Sequence, residues 1–200
     1  MSPDVTGLQP RFSVIVPVFN GGGLLRECLS AIRAQEGLPA GEVEVIVVDD
    51  GSTDGSAENF GAGEGARTPN GKLCDQLIRL SENHGAAFAR NRGAQAARAD
   101  ILVFVDADVF LAPDALARLK EFFAKHPEAA AAVGRYTERP AAAGLISAYH
   151  NAFTRFHHDL SPREMDWFWG ALGAVKKSAF LAVGGFDERG LLCHNGDANG

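Results

Sequence analysis

Residues 43–54, VEVIVVDDGSTD, contain the two features that decide the fold prediction. The first six residues are short, rich in β-branched side chains and almost all apolar, which is typical of a parallel strand covered on both faces. The remainder begins with two adjacent carboxylates, Asp49 and Asp50, and continues as a Gly-Ser-Thr-Asp turn sequence. The stretch therefore predicts a buried strand that ends at an acidic rim.

Strand and helix patterns alternate along the rest of the chain. Apolar strands are predicted at residues 12–16 and 101–105, a weaker strand at 76–80, and a further candidate at 130–136. The helical patterns between them are Leu25, Cys28, Leu29 and Ile32, then residues 86–99, then Leu116, Leu119, Phe122 and Phe123 after Pro113. This order predicts an α/β fold with a Rossmann-like, mostly parallel sheet and helices on both faces.

Length and composition exclude several classes of protein. A chain of 200 residues with 46 % hydrophobic residues is sufficient for one domain with a real core. The 25 acidic residues exceed the 19 basic ones and no basic block is present, so we expect no nucleic-acid partner. No apolar run reaches the roughly 18 residues of a membrane span. Three cysteines at wide spacings, and no secretory signal in residues 1–10, favour a cytoplasmic location.

Polar residues follow each strong strand at its carboxyl end. The first strand continues into residues 17–23 (PVFNGGG), the second into Asp49 and Asp50, and the third into Asp106 and Asp108. Because ligands bind outside the carboxyl ends of the strands in an open α/β sheet, carboxylates from two strands should meet there. Such carboxylates repel one another, and a hard divalent cation shared with substrate phosphates would relieve the repulsion. The sequence therefore predicts a metal and phosphate site at this edge.

Five ordered motifs make the chain resemble the family 2 glycosyltransferases, which have the GT-A fold. They are VIVPVFN (14–20), VVDDGSTD (47–54), NHG (83–85) leading to ARNRG (89–93), VDAD (105–108) and GGFDE (184–188). The resemblance covers residues 11–190, divided near residue 110 into a nucleotide-sugar half and an acceptor half. Residues 1–10 form an N-terminal tail, and residues 191–200 form an atypical C-terminal end.

The resemblance implies transfer of a sugar from a nucleotide-diphosphate sugar, with a UDP-sugar favoured, to an acceptor hydroxyl with inversion. Mg²⁺ or Mn²⁺ is the implied cofactor, held by Asp108 and Asp106, because a Lewis acid neutralises the leaving diphosphate. Asp49 or Asp50 would hydrogen-bond the nucleobase, and Arg90 would face the nucleotide or its pyrophosphate. The implied nucleotide-sugar residues are Pro17, Phe19, Asn20, Asp49, Asp50, Ser52, Arg90, Asp106 and Asp108.

The acceptor side resembles the family over residues 167–174, where Trp169 and Gly170 are the implied acceptor residues. Aromatic rings suit the apolar faces of sugars, and glycine allows close backbone approach. The acceptor is a carbohydrate, a lipid-linked sugar or a protein, and cell-envelope polysaccharide synthesis is the expected process. A stripe of Leu145, Tyr149, Phe153 and Phe156 is either core or a peripheral contact with the inner face of a membrane.

The family pattern breaks at the general base. Inverting members need a base for the acceptor hydroxyl, usually an Asp that follows a Glu shortly after the GGFDE segment. This chain has no Glu-Asp pair there, and the candidate Asp197 does not have the preceding glutamate. We therefore expect that the chain is incomplete at its C-terminus, or that its last residues come from a frame disruption.

Two alternatives to an active glycosyltransferase stay open. A non-catalytic or truncated domain that binds a nucleotide sugar would account for the missing base. A nucleotidyltransferase also places carboxylates and a metal at strand ends, but it normally needs an early phosphate loop rich in glycine and basic residues. Gly21, Gly22 and Gly23 have only Arg26 nearby, so glycosyl transfer is the function that we expect.

Overall fold

The computed structural model describes residues 9–58, 72–135, 168 and 170–189. Within these residues the chain forms a six-stranded sheet with helices packed against it. The strands are β1 (Phe12–Val18), β2 (Val43–Asp49), β3 (Gln76–Arg79), β4 (Ile101–Val105), β5 (Ala131–Val133) and β6 (Leu172–Lys176). The helices are α1 (Leu24–Arg33), α2 (Ala86–Ala96), α3 (Ala115–Lys125) and α4 (Lys177–Ala182).

The strands lie in the order β3-β2-β1-β4-β6-β5. β1 pairs in parallel with β2 and β4, so that Ile15 lies between Ile46 and Phe104, and β3 is parallel to β2. β6 runs antiparallel to both β4 and β5. The predicted α/β fold with a mostly parallel sheet is confirmed. The strand order reverses at β1, which in open α/β sheets marks the ligand crevice.

Helices cover both faces of the sheet, as the strand pattern predicted. On one face, α1 and α3 pack through Leu29 and Leu116 against a cluster that includes Val14. On the opposite face, α2 and α4 pack against a cluster that includes Ile15 and Phe180. Every residue of β1 and β4 is buried. Strands covered on both sides must be apolar throughout rather than alternating, which is the pattern found in the sequence.

Element boundaries differ from the prediction by a few residues. β1 and β2 run further than predicted, and β3 ends one residue earlier. Among the described residues 130–135, only the three of β5 form a strand. The helix predicted at 86–99 ends early because Ala97 is extended, with a ψ of 137°. Beyond it the Arg98 backbone N–H donates to the Glu44 carboxylate at 3.0 Å. The helix therefore ends where the chain makes a long-range contact with β2, although helix propensity would let it continue.

A buried carboxylate lies within the apolar strand β2. The Glu44 side chain is 1 % exposed. It accepts hydrogen bonds from the Ser13 hydroxyl at 2.7 Å and from the Arg98 guanidinium at 2.6 Å, besides the Arg98 backbone bond. The Ser13 hydroxyl in turn accepts from the Ala99 N–H at 3.0 Å. These bonds join β1, β2 and the segment between α2 and β4, and the apolar pattern of the strand did not predict them.

Helix α2 lies very close to the sheet at Gly93. A Cβ added there would come within 2.4 Å of Ile15 Cγ2 and 3.3 Å of Val48 Cγ2. Both side chains are β-branched and fully buried, so neither moves aside readily. Because glycine has no side chain, Gly93 allows the short distance between α2 and strands β1 and β2.

Replacing Gly93 by alanine should destabilise the fold, although alanine is the better helix former. The gain in helix propensity is about 1 kcal/mol, whereas overpacking a core costs about 1–3 kcal/mol. Because Ile15 is stiff, we expect the clash to dominate and to lower the free energy of unfolding by about 1–2 kcal/mol, measured by urea denaturation. Gln95→Ala, on the exposed side of the same helix, is the control. A Gly93→Ala protein as stable as wild type would contradict the close packing.

The contacts of Glu44 predict a stability that depends on acid pH. Burial opposes ionisation of Glu44, but the hydrogen bonds from Arg98 and Ser13 outweigh it and hold the pKa below its ordinary value of 4.5. A carboxylate with a lowered pKa contributes stability that is present above 4.5 and is lost as pH falls through the folded-state pKa. Glu44→Gln should therefore be less stable than wild type at neutral pH, by about 2 kcal/mol.

Urea unfolding at a series of pH values measures this effect. The difference between wild type and Glu44→Gln should shrink as the pH falls below about 4. Glu121→Gln, which removes an exposed carboxylate paired with Lys125, is the control and should change stability little. A difference for Glu44→Gln that stays constant down to about pH 2 would show that its ionisation is not the cause.

Candidate functional site

Two loops at the carboxyl edge of the sheet fasten one another. Three consecutive backbone N–H groups of the β1–α1 loop each donate to a side-chain oxygen of the loop after β2. The pairs are Asn20 with Ser52 (2.9 Å), Gly21 with Ser56 (3.1 Å) and Gly22 with Asp54 (3.0 Å). The Asn20 side chain also accepts from the Thr53 N–H at 2.9 Å. Donors that a phosphate loop would present are thus occupied by the chain itself, which argues against the nucleotidyltransferase alternative.

The adjacent carboxylates at the end of β2 have different partners. Asp50 is buried and accepts hydrogen bonds from the backbone N–H groups of His84 at 2.9 Å and Gly85 at 2.7 Å. Because these two residues immediately precede α2, Asp50 fastens the start of that helix to the end of β2. Asp49 instead accepts from the Ser52 N–H at 2.9 Å, within its own turn.

A cleft of about 410 Å³ opens at the carboxyl ends of β1 and β4, beside the start of α2. The structure brings together here the predicted residues Pro17, Phe19, Asp50, Arg90, Asp106 and Asp108. A second hollow of about 250 Å³ contains Asp49 and Ser52, together with Arg79, which the sequence analysis did not single out. Asn20 lines neither space; its backbone N–H and its Oδ1 take part in the contact between the loops.

An ion pair lies in the wall of the cleft. Arg90 Nη2 is 2.5 Å from Asp106 Oδ1, and the two side chains are 14 % and 32 % exposed. Burial raises the pKa of the Asp106 carboxyl, Arg90 counteracts that rise, and the charge of Asp108 adds to it. Arg90 Nε is buried and has no hydrogen-bond partner among the described residues. This Nε–H is therefore a buried donor without a partner within the described residues.

The carboxylates of the cleft fit a cation shared with a ligand better than one held by protein alone. Asp106 and Asp108 both line the cleft, and Asp108 is exposed. Nowhere in the described ranges do three or more His, Cys, Asp or Glu side chains form a group that could hold a metal ion. Two carboxylates fill only part of the oxygen shell of Mg²⁺ or Mn²⁺, which leaves positions for phosphate oxygens and water.

Some of the predicted residues fall outside the described residues: Trp169, the candidate base Asp197, and the stripe of Leu145, Tyr149, Phe153 and Phe156. Gly170 is described and packs against the Arg90 guanidinium. The motifs quoted from the sequence included Asn91 and Phe186 without a role for either. The structure joins them by hydrogen bonds across 95 positions of sequence. A contact over that separation leaves no trace in local spacing.

The chain has the fold of the GT-A glycosyltransferase structures that it matches. The mannosyltransferase PcManGT from Pyrobaculum calidifontis, solved with GDP-Man and Mn²⁺, matches with a TM-score of 0.65 and 29 % identity. That match covers 94 % of this chain and 50 % of PcManGT. S. aureus TarS 1–349, solved with UDP, matches with a TM-score of 0.63 over 89 % of this chain and 50 % of that TarS fragment; at 23 % identity it supports the fold alone.

The chain belongs to glycosyl transferase family 2, because the model of that family matches residues 13–168. The resemblance carried by the five motifs is therefore confirmed. Validoxylamine A glucosyltransferase of Streptomyces hygroscopicus subsp. limoneus is 28 % identical over 93 % of this chain and 46 % of its own length. The chain spans less than half the length of the curated relatives it matches. Among the described residues, no helix has the length and apolar character needed to cross a membrane.

Asp50 should matter more for stability than Asp54 of the following loop. Asparagine at position 50 keeps one acceptor oxygen, so one buried backbone N–H would face an amide NH₂ group. Leaving a buried donor unsatisfied costs about 1–3 kcal/mol, and we expect Asp50→Asn to lose about 2 kcal/mol in urea unfolding. Asp54→Asn makes the same chemical change at an exposed side chain and should alter stability little. Equal losses in the two variants would contradict the assigned contacts of Asp50.

Proposed function

We propose that this chain transfers a sugar from a nucleotide-diphosphate sugar, with a UDP-sugar favoured, to an acceptor hydroxyl with inversion and with a divalent cation. The observation that carries the proposal is the convergence of Arg90, Asp106 and Asp108 on one cleft beside the end of β1. Family membership supports the class of reaction. The donor, the cation and the stereochemistry are part of the proposal.

The charges of the cleft act on the diphosphate. Arg90 uses one Nη2 hydrogen for Asp106, and the other Nη hydrogens of the guanidinium, which lines the cleft, can bind phosphate oxygens. Asp108, with Asp106, holds Mg²⁺ or Mn²⁺, which when bound acts as a Lewis acid on the leaving diphosphate. The Mn²⁺ and GDP-Man of PcManGT support a cation in this role. Arg90 keeps the diphosphate oriented beside the two carboxylates.

The nucleoside lies toward the end of β1 and β2. Phe19 is 50 % exposed and lines the cleft together with Pro17, so its ring is available to a nucleobase. Asp50 already accepts two backbone hydrogen bonds, but an ionised carboxylate has about four acceptor positions. It therefore can still accept a bond from a base N–H, and Asp49 is the alternative partner of the base. Because PcManGT carries GDP-Man in its structure, GDP is a candidate ligand besides UDP.

The acceptor binds on the side of Gly170 and Trp169, in the acceptor half of the proposed 11–190 domain. The candidate acceptors are a carbohydrate, a lipid-linked sugar at a membrane surface and a protein. The proposed process is synthesis of a cell-envelope polysaccharide, and the proposed location is the cytoplasm. Asp197 is the candidate general base. Loss of a general base slows transfer by about 10²–10⁴-fold. A domain that binds the donor without turnover is the second candidate function.

Calorimetric titration of UDP and GDP, with Mn²⁺ and again with EDTA, tests the donor site. We expect metal-dependent binding of one nucleotide, with affinity at least about 10-fold lower in EDTA. Asp108→Ala should abolish the metal dependence because it removes an oxygen ligand. Arg90→Ala should weaken binding about 10–100-fold, since a hydrogen bond to a charged group contributes about 1.5–3 kcal/mol.

Asp114→Ala is the matched control, because Asp114 is a partly exposed aspartate outside the cleft that pairs with Arg118. A folded chain, verified by circular dichroism, that binds neither nucleotide would refute the proposal. Release of the nucleoside diphosphate from UDP- and GDP-sugars, with a panel of acceptors, then separates the two candidate functions. Nucleotide binding without release would favour the non-catalytic domain.

A further inference from the structure

Asn91 connects helix α2 with residues 184–189, which follow α4. Its side-chain Nδ2 donates to the Phe186 carbonyl oxygen at 2.9 Å and to Glu188 Oε1 at 2.7 Å. Its Oδ1 accepts from the Phe186 backbone N–H at 2.9 Å. Asn91 as a whole residue is only 8 % exposed. A primary amide has two donor hydrogens, and both are used here together with the acceptor oxygen.

Gly185 permits this close approach. It has a φ of +81°, and a Cβ at this position would lie 2.7 Å from Asn91 Oδ1 and 3.3 Å from the Phe180 ring. Any other residue would therefore be strained in its backbone and would push the segment away from Asn91. The contact therefore depends on both partners: Asn91 supplies the hydrogen bonds, and Gly185 has no side chain that would block them.

Phe186 brings this contact to the cleft. Its ring centre lies 5.5 Å from Arg90 Cζ, and 5.0 Å from the ring centre of Phe104 in β4. Arg90 is the residue before Asn91 in α2, and it forms the ion pair with Asp106 in the wall of the cleft. Two neighbouring residues of α2 therefore have different partners. Arg90 faces the cleft, and Asn91 binds the segment 184–189, whose Phe186 packs on Arg90.

We propose that Asn91 is a positioning residue that couples residues 184–189 to nucleotide binding. By fixing the backbone of Phe186 on both sides, Asn91 holds the phenylalanine ring against the guanidinium of Arg90 and so restricts where that guanidinium points. Asn91 itself does not line the cleft. The inference rests on the proposed function, because it requires that Arg90 binds the diphosphate of a nucleotide.

Asn91→Asp is the most informative variant because it preserves the shape of the side chain while it replaces the NH₂ donors by a charged carboxylate oxygen. The new carboxylate would face the Glu188 carboxylate and the Phe186 carbonyl oxygen, so the segment should move away from α2. We expect the affinity for whichever of UDP or GDP the wild type binds to fall about 10-fold at neutral pH, which corresponds to about 1.4 kcal/mol. Adding Glu188→Gln supplies an amide donor for the aspartate and should recover part of the loss. Gln95→Glu makes the same amide-to-carboxylate change on the exposed face of α2 and should leave the affinity unchanged.

Hydrogen exchange of the Phe186 amide, followed by NMR, distinguishes positioning from a purely structural contact. Because coupling between two sites is reciprocal, saturating nucleotide should slow this exchange in the wild type and much less in Asn91→Asp. Phe186→Leu, which keeps an apolar side chain but removes the ring beside Arg90, should weaken nucleotide binding about 3-fold. It provides the affinity test if Asn91→Asp does not fold.

The outcomes separate this inference from the proposed function. A wild type that binds nucleotide, with Asn91→Asp and Phe186→Leu binding equally well, would overturn the inference alone. Faster Phe186 exchange in Asn91→Asp with unchanged nucleotide affinity would likewise reduce Asn91 to a structural contact. A folded wild type that binds neither UDP nor GDP would overturn the proposed function, and the coupling with it.

Discussion

At Gly93 the backbone of helix α2 approaches the sheet so closely that a methyl group would lie 2.4 Å from Ile15 Cγ2. This contact fixes the height of α2 above the central strands. At the start of the helix, Asp50 accepts two backbone N–H bonds, and beyond its end Arg98 binds a buried carboxylate of β2. Because an α-helix behaves as a stiff rod over three turns, these contacts determine where Arg90 enters the cleft. The geometry of the candidate site therefore depends on how α2 is seated.

The hydrogen bonds between the β1–α1 loop and the loop after β2 have an electrostatic consequence. In a phosphate loop, successive backbone N–H groups meet the anion directly. Here the N–H groups of residues 20–22 already bind Ser52, Ser56 and Asp54. In the proposed function, the charge of a diphosphate must then be balanced by Arg90 and a cation. This requirement gives a physical reason for an arginine and two aspartates in one cleft.

Two consecutive residues of α2 link the two halves of the proposed domain. Arg90 pairs with Asp106 at the end of β4, and Asn91 binds the backbone of Phe186. The phenylalanine ring and Gly170 both lie against Arg90, so segments from the second half of the chain contact the same guanidinium as the carboxylate of the first. A change on either side alters the surroundings of a shared group, which is the physical basis of the proposed coupling.

The sequence by itself determined strands β1 to β5, the helices α1 to α3 that alternate with them, and the family, because burial on both faces requires continuous apolar runs and the motifs follow in order. It did not predict β6 or α4. It also placed acidic residues at one edge, since parallel strands end there together. Only the tertiary structure decided that Asp50 faces the central cleft while Asp49 lines the neighbouring hollow, and that Asn20 serves a loop contact. Neighbouring residues with the same chemistry cannot be distinguished by spacing, because their partners come from distant segments. The contacts of Asn91 with Phe186 and Glu188, which lie 95 and 97 positions further along the chain, arise for the same reason. They depend on how α2 and the segment after α4 pack on the sheet.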